Sequence, residues 1–182
     1  MRSKAFPRIA AAAMLAAVVA ALSPTNPLRA HDEFETHHAH EHGVATLSIA
    51  FENQRLDLKL ESPAINVVGF EHAPHSSAEL ELTTKAATRL GEAAKLFVLT
   101  AAAGCRVVSA VVSPPEWKSA GKHADYDASY EYECSKPQAL TTVDVRLFDA
   151  LQPGTKIRAQ IVTTTSQSAL ELTRDNTLIK LQ

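Results

Sequence analysis

Apolar and polar residues alternate with a period of two through most of this chain, and that period admits strands and little else. Arg55-Leu56-Asp57-Leu58-Lys59-Leu60-Glu61 alternates without a break, placing its leucines on one face of an extended backbone and its charges on the other. Ala45 to Phe51 alternates in the same way, and Glu52-Asn53-Gln54 supplies a tight turn between the two runs. Together they are read as a hairpin that Ser62-Pro63 stops. Tyr126, Ala128, Tyr130, Tyr132 and Cys134 share one face of a further strand. Lys95 to Leu99, Arg106 to Val112, Thr141 to Phe148 (running into a short turn of helix at Phe148 to Leu151), Lys156 to Thr163, Ser168 to Thr173 and Thr177 to Leu181 complete the set, with turns near Gly104 and at Pro153-Gly154.

One stretch changes period. Between Ser76 and Ala94, Leu80, Ala87, Leu90 and Ala94 fall on one helical face, and Ser76 or Ser77 with Glu79 forms an N-terminal capping signal. The predicted fold class is therefore α+β, mostly antiparallel strands with one main helix. Strand, strand, helix, strand, strand precedes Pro114-Pro115, and a similar order with a shorter helical piece follows His123. This points to a duplicated ββαββ unit with halves 44–113 and 123–182 of a single α+β domain, 44–182. Phe51, Phe97, Tyr130 and Phe148 fit buried positions, Trp117 after two prolines is read as a loop anchor, with an exposed docking residue as the alternative, and Glu131 and Glu133 fall on a solvated face.

The first thirty residues obey different rules. Arg2, Lys4 and Arg8 precede the apolar run Ile9 to Leu22, and Leu28-Arg29-Ala30 ends in a small-residue cleavage signal. Fourteen apolar residues fall short of the ~20 that a membrane span needs, so residues 1–30 are read as a secretory signal peptide cut after Ala30. The processed chain would be periplasmic, without a membrane anchor. The leader holds four of the 18 basic residues and none of the 20 acidic ones, so the processed chain carries about −6 with neutral histidines. Nucleic-acid binding, which rests on clustered Lys and Arg, is not expected. Cys105 and Cys134 are the only cysteines. In an oxidising compartment they are most simply a disulfide, worth roughly 3 to 4 kcal/mol for a loop of about thirty residues; a thiolate metal pair is the alternative.

Histidines carry the functional signal. Five of eight, His31, His37, His38, His40 and His42, lie within twelve residues behind the leader, in a segment spanning 31–43. Neutral imidazole is the commonest metal ligand among side chains, and in an extended backbone His38, His40 and His42 share a face. A second group is Glu71-His72 with His75 across Pro74; the competing reading makes Glu71 a cap and bonds His72 to backbone. A third candidate is His123, two residues from Asp125.

His40-Glu41-His42-Gly43-Val44-Ala45-Thr46-Leu47, Glu61-Ser62-Pro63-Ala64, Gly69-Phe70-Glu71-His72-Ala73-Pro74 and the later Cys105 and Cys134 together resemble the ZrgA-like family of periplasmic zinc-binding proteins. The resemblance covers essentially the whole processed chain. It implies zinc acquisition beside an importer and assigns His40, His42, Glu71 and His72 to the family's motifs. Members of that family carry a long His- and Asp-rich insert in mid-sequence, where this chain has only Ser119 to Asp125; the N-terminal tract is expected to take over part of that role.

The expected function is a periplasmic zinc-binding protein that buffers Zn2+ or delivers it to a zinc ABC-type importer component. The candidate ligands are His37, His38, His40, His42, Glu71, His72, His75 and His123. Two other readings remain. After cleavage His31 becomes the amino terminus, and its amine and imidazole could chelate Cu2+, although Met1 and Met14 both fall in the leader and leave no thioether for Cu(I). A β-rich interaction protein with an incidental His tail is the other. A hydrolytic zinc enzyme needs three fixed ligands and a placed general base; no HExxH pattern is present and the histidines cluster on a terminal segment instead of a rigid scaffold, so no enzymatic activity is expected.

Overall fold

The computed structural model describes residues 41–117 and 124–181. The leader, His31, His37, His38, His40 and His123 lie outside the described residues.

Strand β1 (Val44–Glu52) turns through Asn53, which adopts φ +55°, into β2 (Arg55–Pro63). The hairpin closes at Glu52 opposite Arg55 and runs to Thr46 opposite Glu61, as the alternation demands. Directly after Pro63 comes a short helix, α1 (Ala64–Val68), ended by Gly69 at φ +88°. Helix α2 (Ser77–Leu90) begins where the capping signal lies, with Ser76 Oγ accepting from Glu79 N at 3.2 Å. It stops at Leu90 instead of reaching Ala94. Gly91 closes the last turn by donating to Ala87 and Thr88, and α3 (Ala93–Leu96) is a separate turn of helix. The strand expected from Lys95 is thereby cut to β3 (Phe97–Leu99).

Then follow β4 (Cys105–Ser113), β5 (Asp125–Cys134), β6 (Thr142–Val145), β7 (Lys156–Thr163), β8 (Gln167–Leu172) and β9 (Leu178–Lys180). The strand expected to run to Phe148 ends at Val145, and the helical turn expected at Phe148 to Leu151 forms a residue earlier, as a 3-10 turn at Leu147–Asp149 that buries Leu147 and Phe148.

Six strands form one sheet in the order β4-β5-β2-β1-β7-β8, and three form another, β3-β6-β9. Every pair is antiparallel except β1 with β7, which run parallel from Val44 opposite Lys156 to Phe51 opposite Thr163. A duplicated ββαββ unit does not emerge from this topology. Strands of the two halves are intermixed in the larger sheet, with β5 between β4 and β2 and β7 beside β1, and α2 has no counterpart among the described residues of the second half.

One face of the larger sheet is the core. Leu47, Ile49, Leu56, Leu58, Leu60, Tyr126, Tyr130, Ile157 and Ile161 are all at most 2% exposed, each large side chain contributing roughly 1.5–3 kcal/mol on burial. Tyr130 and Tyr132 donate to the carbonyls of Leu90 and Ala93 at 2.8 Å, which ties α2 and α3 to β5. Phe97 and Phe148 are buried as expected, whereas Phe51 at the far end of β1 is only partly covered. Cys105 and Cys134 face each other on the β4–β5 ladder and form a disulfide. No helix among the described residues is long and apolar enough to cross a membrane.

Candidate metal centre

The two His-containing motifs meet at the end of the sheet where β1 begins and β2 ends. Glu41 donates no hydrogen bond through its carboxylate; it accepts one from Arg158 of β7 at 2.8 Å, and its carbonyl accepts from Val44 N at 3.0 Å. The chain then turns through Gly43, whose φ of +82° is open to glycine and strained for other residues. His42 is delivered on the near side of that turn. From the other direction, α1 and its left-handed Gly69 lead into Phe70-Glu71-His72.

These segments bring His42 Nε2 within 2.9 Å of Glu71 Oε2, across 29 positions of sequence. A carboxylate can only accept, so Nε2 carries the shared proton. The imidazole is 59% exposed and the carboxylate side chain 25%. The other carboxylate oxygen, Oε1, is buried without a hydrogen-bond partner among the described residues, an arrangement that costs free energy unless something else satisfies it.

His72 is prepared differently. Its Nδ1 donates to the carbonyl of Ala73 at 3.0 Å, leaving Nε2 as a bare lone pair on an exposed residue. Metal-bound imidazoles usually hold their second nitrogen this way. The ring stacks with Phe70 (centroids 4.9 Å apart, planes at 20°) and with His75 (4.6 Å, 14°), and Phe70 in turn meets Trp117 at 5.8 Å. Trp117 is thus the loop anchor that its place after two prolines implies. His75 N donates to Glu79 Oε2 at 2.6 Å, so the carboxylate serving the helix start is Glu79 and not Glu71. The backbone bond read as an alternative for His72 does form, and it fixes the tautomer.

Of the sequence candidates, the structure brings together His42 with Glu71, and His72 with His75. His37, His38, His40 and His123 lie outside the described residues. No group of three or more His, Cys, Asp or Glu side chains suited to a metal ion occurs among the described residues. Chemically, a His–carboxylate pair offers two of the four donors that a tetrahedral zinc ion takes. In tetrahedral zinc with ligands at 2.0–2.1 Å, neighbouring donor atoms sit roughly 3.3 Å apart, so an ion could replace the shared proton with a few tenths of an ångström of movement. A neutral ring would keep that proton on Nδ1, leaving the Nε2 lone pair for the ion.

Over residues 39–181 the chain matches the family model described as ZrgA family zinc uptake protein. The chain belongs to the ZrgA family. Among curated proteins nothing matches it. The ZrgA match takes in His40, His42, Glu71, His72, His75, His123 and both cysteines, and it begins after His31, His37 and His38.

One residue of the site escaped the sequence reading. Asn66 in α1 is 3% exposed, and its carboxamide bonds the backbone on both sides of the Gly43–Val44 peptide. The only signal was a polar residue inside Ala64-Ile65-Asn66-Val67-Val68, where a purely apolar helix would bury as well.

Proposed function

We propose that this ZrgA family member is a periplasmic zinc-binding protein that holds Zn2+ reversibly, buffering the ion or delivering it to a zinc ABC-type importer component. The contact between His42 and Glu71 carries the reading: two ligand types from distant motifs are seated at hydrogen-bond distance where the His tract enters the fold. His72, with a free Nε2, adds a donor nearby in sequence, and the tract preceding Glu41 supplies further imidazoles. Donors this exposed favour exchange over permanent retention, which suits a carrier and gives no scaffold for catalysis. The basic-apolar leader and the disulfide both favour export to an oxidising compartment, and the acidic processed chain favours a cation over nucleic acid.

The test is isothermal titration of the processed protein with Zn2+ and, separately, Cu2+, alongside Glu71→Ala and His42→Ala. Expected are sub-micromolar zinc binding, at least a tenfold loss in either variant, and weakening below about pH 6 as imidazoles protonate. Zinc binding that is weak in the wild type, or indifferent to both substitutions, refutes the site. Copper binding that survives both and disappears when His31 is removed would instead favour an amino-terminal copper chelate.

A further inference from the structure

We infer that Asn66 is the positioning residue of this site, and that its buried carboxamide, acting through Gly43, sets how tightly His42 and Glu71 take up zinc. The inference rests on the zinc reading above. On one side of β1 the backbone of Gly43 is held by β7, with Lys156 N donating to Gly43 O at 2.8 Å. On the other side the β1–β2 register stops at Thr46 opposite Glu61, so β2 offers no strand partner to Gly43 or Val44. Asn66 takes that place. Gly43 N donates to Asn66 Oδ1 at 2.7 Å, and Asn66 Nδ2 donates to Val44 O at 2.8 Å. One side chain thus imitates a peptide group and extends the ladder one step towards His42.

The chain leaving the same short helix leads to the carboxylate. Four residues lie between Asn66 and Glu71, and that span is itself pinned. Gln152 N donates to Asn66 O at 2.7 Å, and Gln152 Nε2 donates to Val67 O at 3.1 Å, just before Gly69 turns the chain. His42 and Glu71 are therefore fixed to opposite ends of one hydrogen-bonded clamp. A carboxamide with both groups satisfied inside a small apolar helix is costly to desolvate, and what it secures here is the junction that carries an exposed imidazole.

The experiment is a double-mutant cycle read by zinc titration, using Asn66→Ala, Glu71→Ala and the pair, with hydrogen exchange at the Gly43 amide measured without metal. Groups acting as one unit give non-additive penalties. Asn66→Ala is expected to weaken zinc about tenfold, and Glu71→Ala added to it to cost less than a further twofold. The Gly43 amide should be protected in the wild type and exchange freely in Asn66→Ala. Should that variant fail to fold, Gly43→Ala perturbs the same junction from open space: no atom lies within 4 Å of the added Cβ, and the φ of +82° supplies the strain. It should show the same loss and the same coupling. An unprotected Gly43 amide in the wild type, or penalties that multiply independently, overturns the role of Asn66 and leaves the site intact. Glu71→Ala binding zinc like the wild type removes the site, and the role of Asn66 with it.

Discussion

Replacing both Cys105 and Cys134 by alanine should lower stability substantially without touching zinc binding. The cross-link closes a loop of 29 residues, and the chain-entropy relation then gives about 3.6 kcal/mol at 25 °C from constraint of the unfolded chain. Cys134 is fully buried and Cys105 partly, so loss of two sulfur atoms adds about 1 kcal/mol of cavity cost. Against this, the two residues already face each other on the β4–β5 ladder, and the native strand pairing persists without the bond. With a urea slope of about 2 kcal/mol/M, the midpoint should fall by about 2 M, and the slope should rise because the uncross-linked chain exposes more surface. Zinc affinity should be unchanged. The disulfide ends β5 at Cys134, whereas the candidate site adjoins its beginning, where Asp125 faces Pro63 and Ala64 N donates to Ala124 O; ten extended residues separate the two by roughly 30 Å. Urea unfolding by circular dichroism with parallel zinc titration decides it. A stability loss below about 1 kcal/mol would refute the loop-entropy argument, and a tenfold loss of zinc affinity would refute the separation of site from disulfide.

The buried tyrosines give two further expectations. Tyr130→Phe strips the donor from the carbonyl of Leu90, the last residue of α2, and should cost about 1–3 kcal/mol. Tyr126→Phe removes a long bond of 3.4 Å to a carbonyl inside the helix and should cost less; equal losses in urea unfolding would contradict this. In alkali, burial pushes the Tyr126 hydroxyl up to about 12 and those of Tyr130 and Tyr132 higher still, against about 10 in the unfolded chain. The folded state therefore holds its phenolic protons more tightly, so this contribution to stability is complete below pH 10 and is lost as pH rises through 10 to 12 and beyond. These are the only tyrosines in the chain, so absorbance at 295 nm should rise in one step with unfolding. A normal titration near pH 10 with the fold intact would contradict the burial argument.

Legibility in the sequence followed the range of the interaction. The β1–β2 hairpin, the cap at Ser76, the core face of β5 and the turn at Pro153-Gly154 were readable because each depends on neighbours a few residues away. The errors lay where a long-range contact outweighed local pattern. Lys95 and Leu96 joined α3 instead of a strand because the chain recloses after Gly91, and Leu147 and Phe148 left an apparent strand to bury their side chains in a 3-10 turn. Helix α1 was missed because five residues are too few to show a helical period.

For the candidate site the division is sharper. Residue types are local facts, so the sequence alone named His42, Glu71, His72 and His75 as ligand-type groups, and its period of two determined that this would be a β-rich fold with one main helix. Which of those groups meet was decided by tertiary structure. His42 and Glu71 come together only because β1 is held between β2 and a parallel β7, and because Asn66, mute in the sequence, replaces the missing strand at Gly43. Pairings of that kind depend on how distant segments jointly bury apolar surface and satisfy backbone hydrogen bonds, and no local period encodes them.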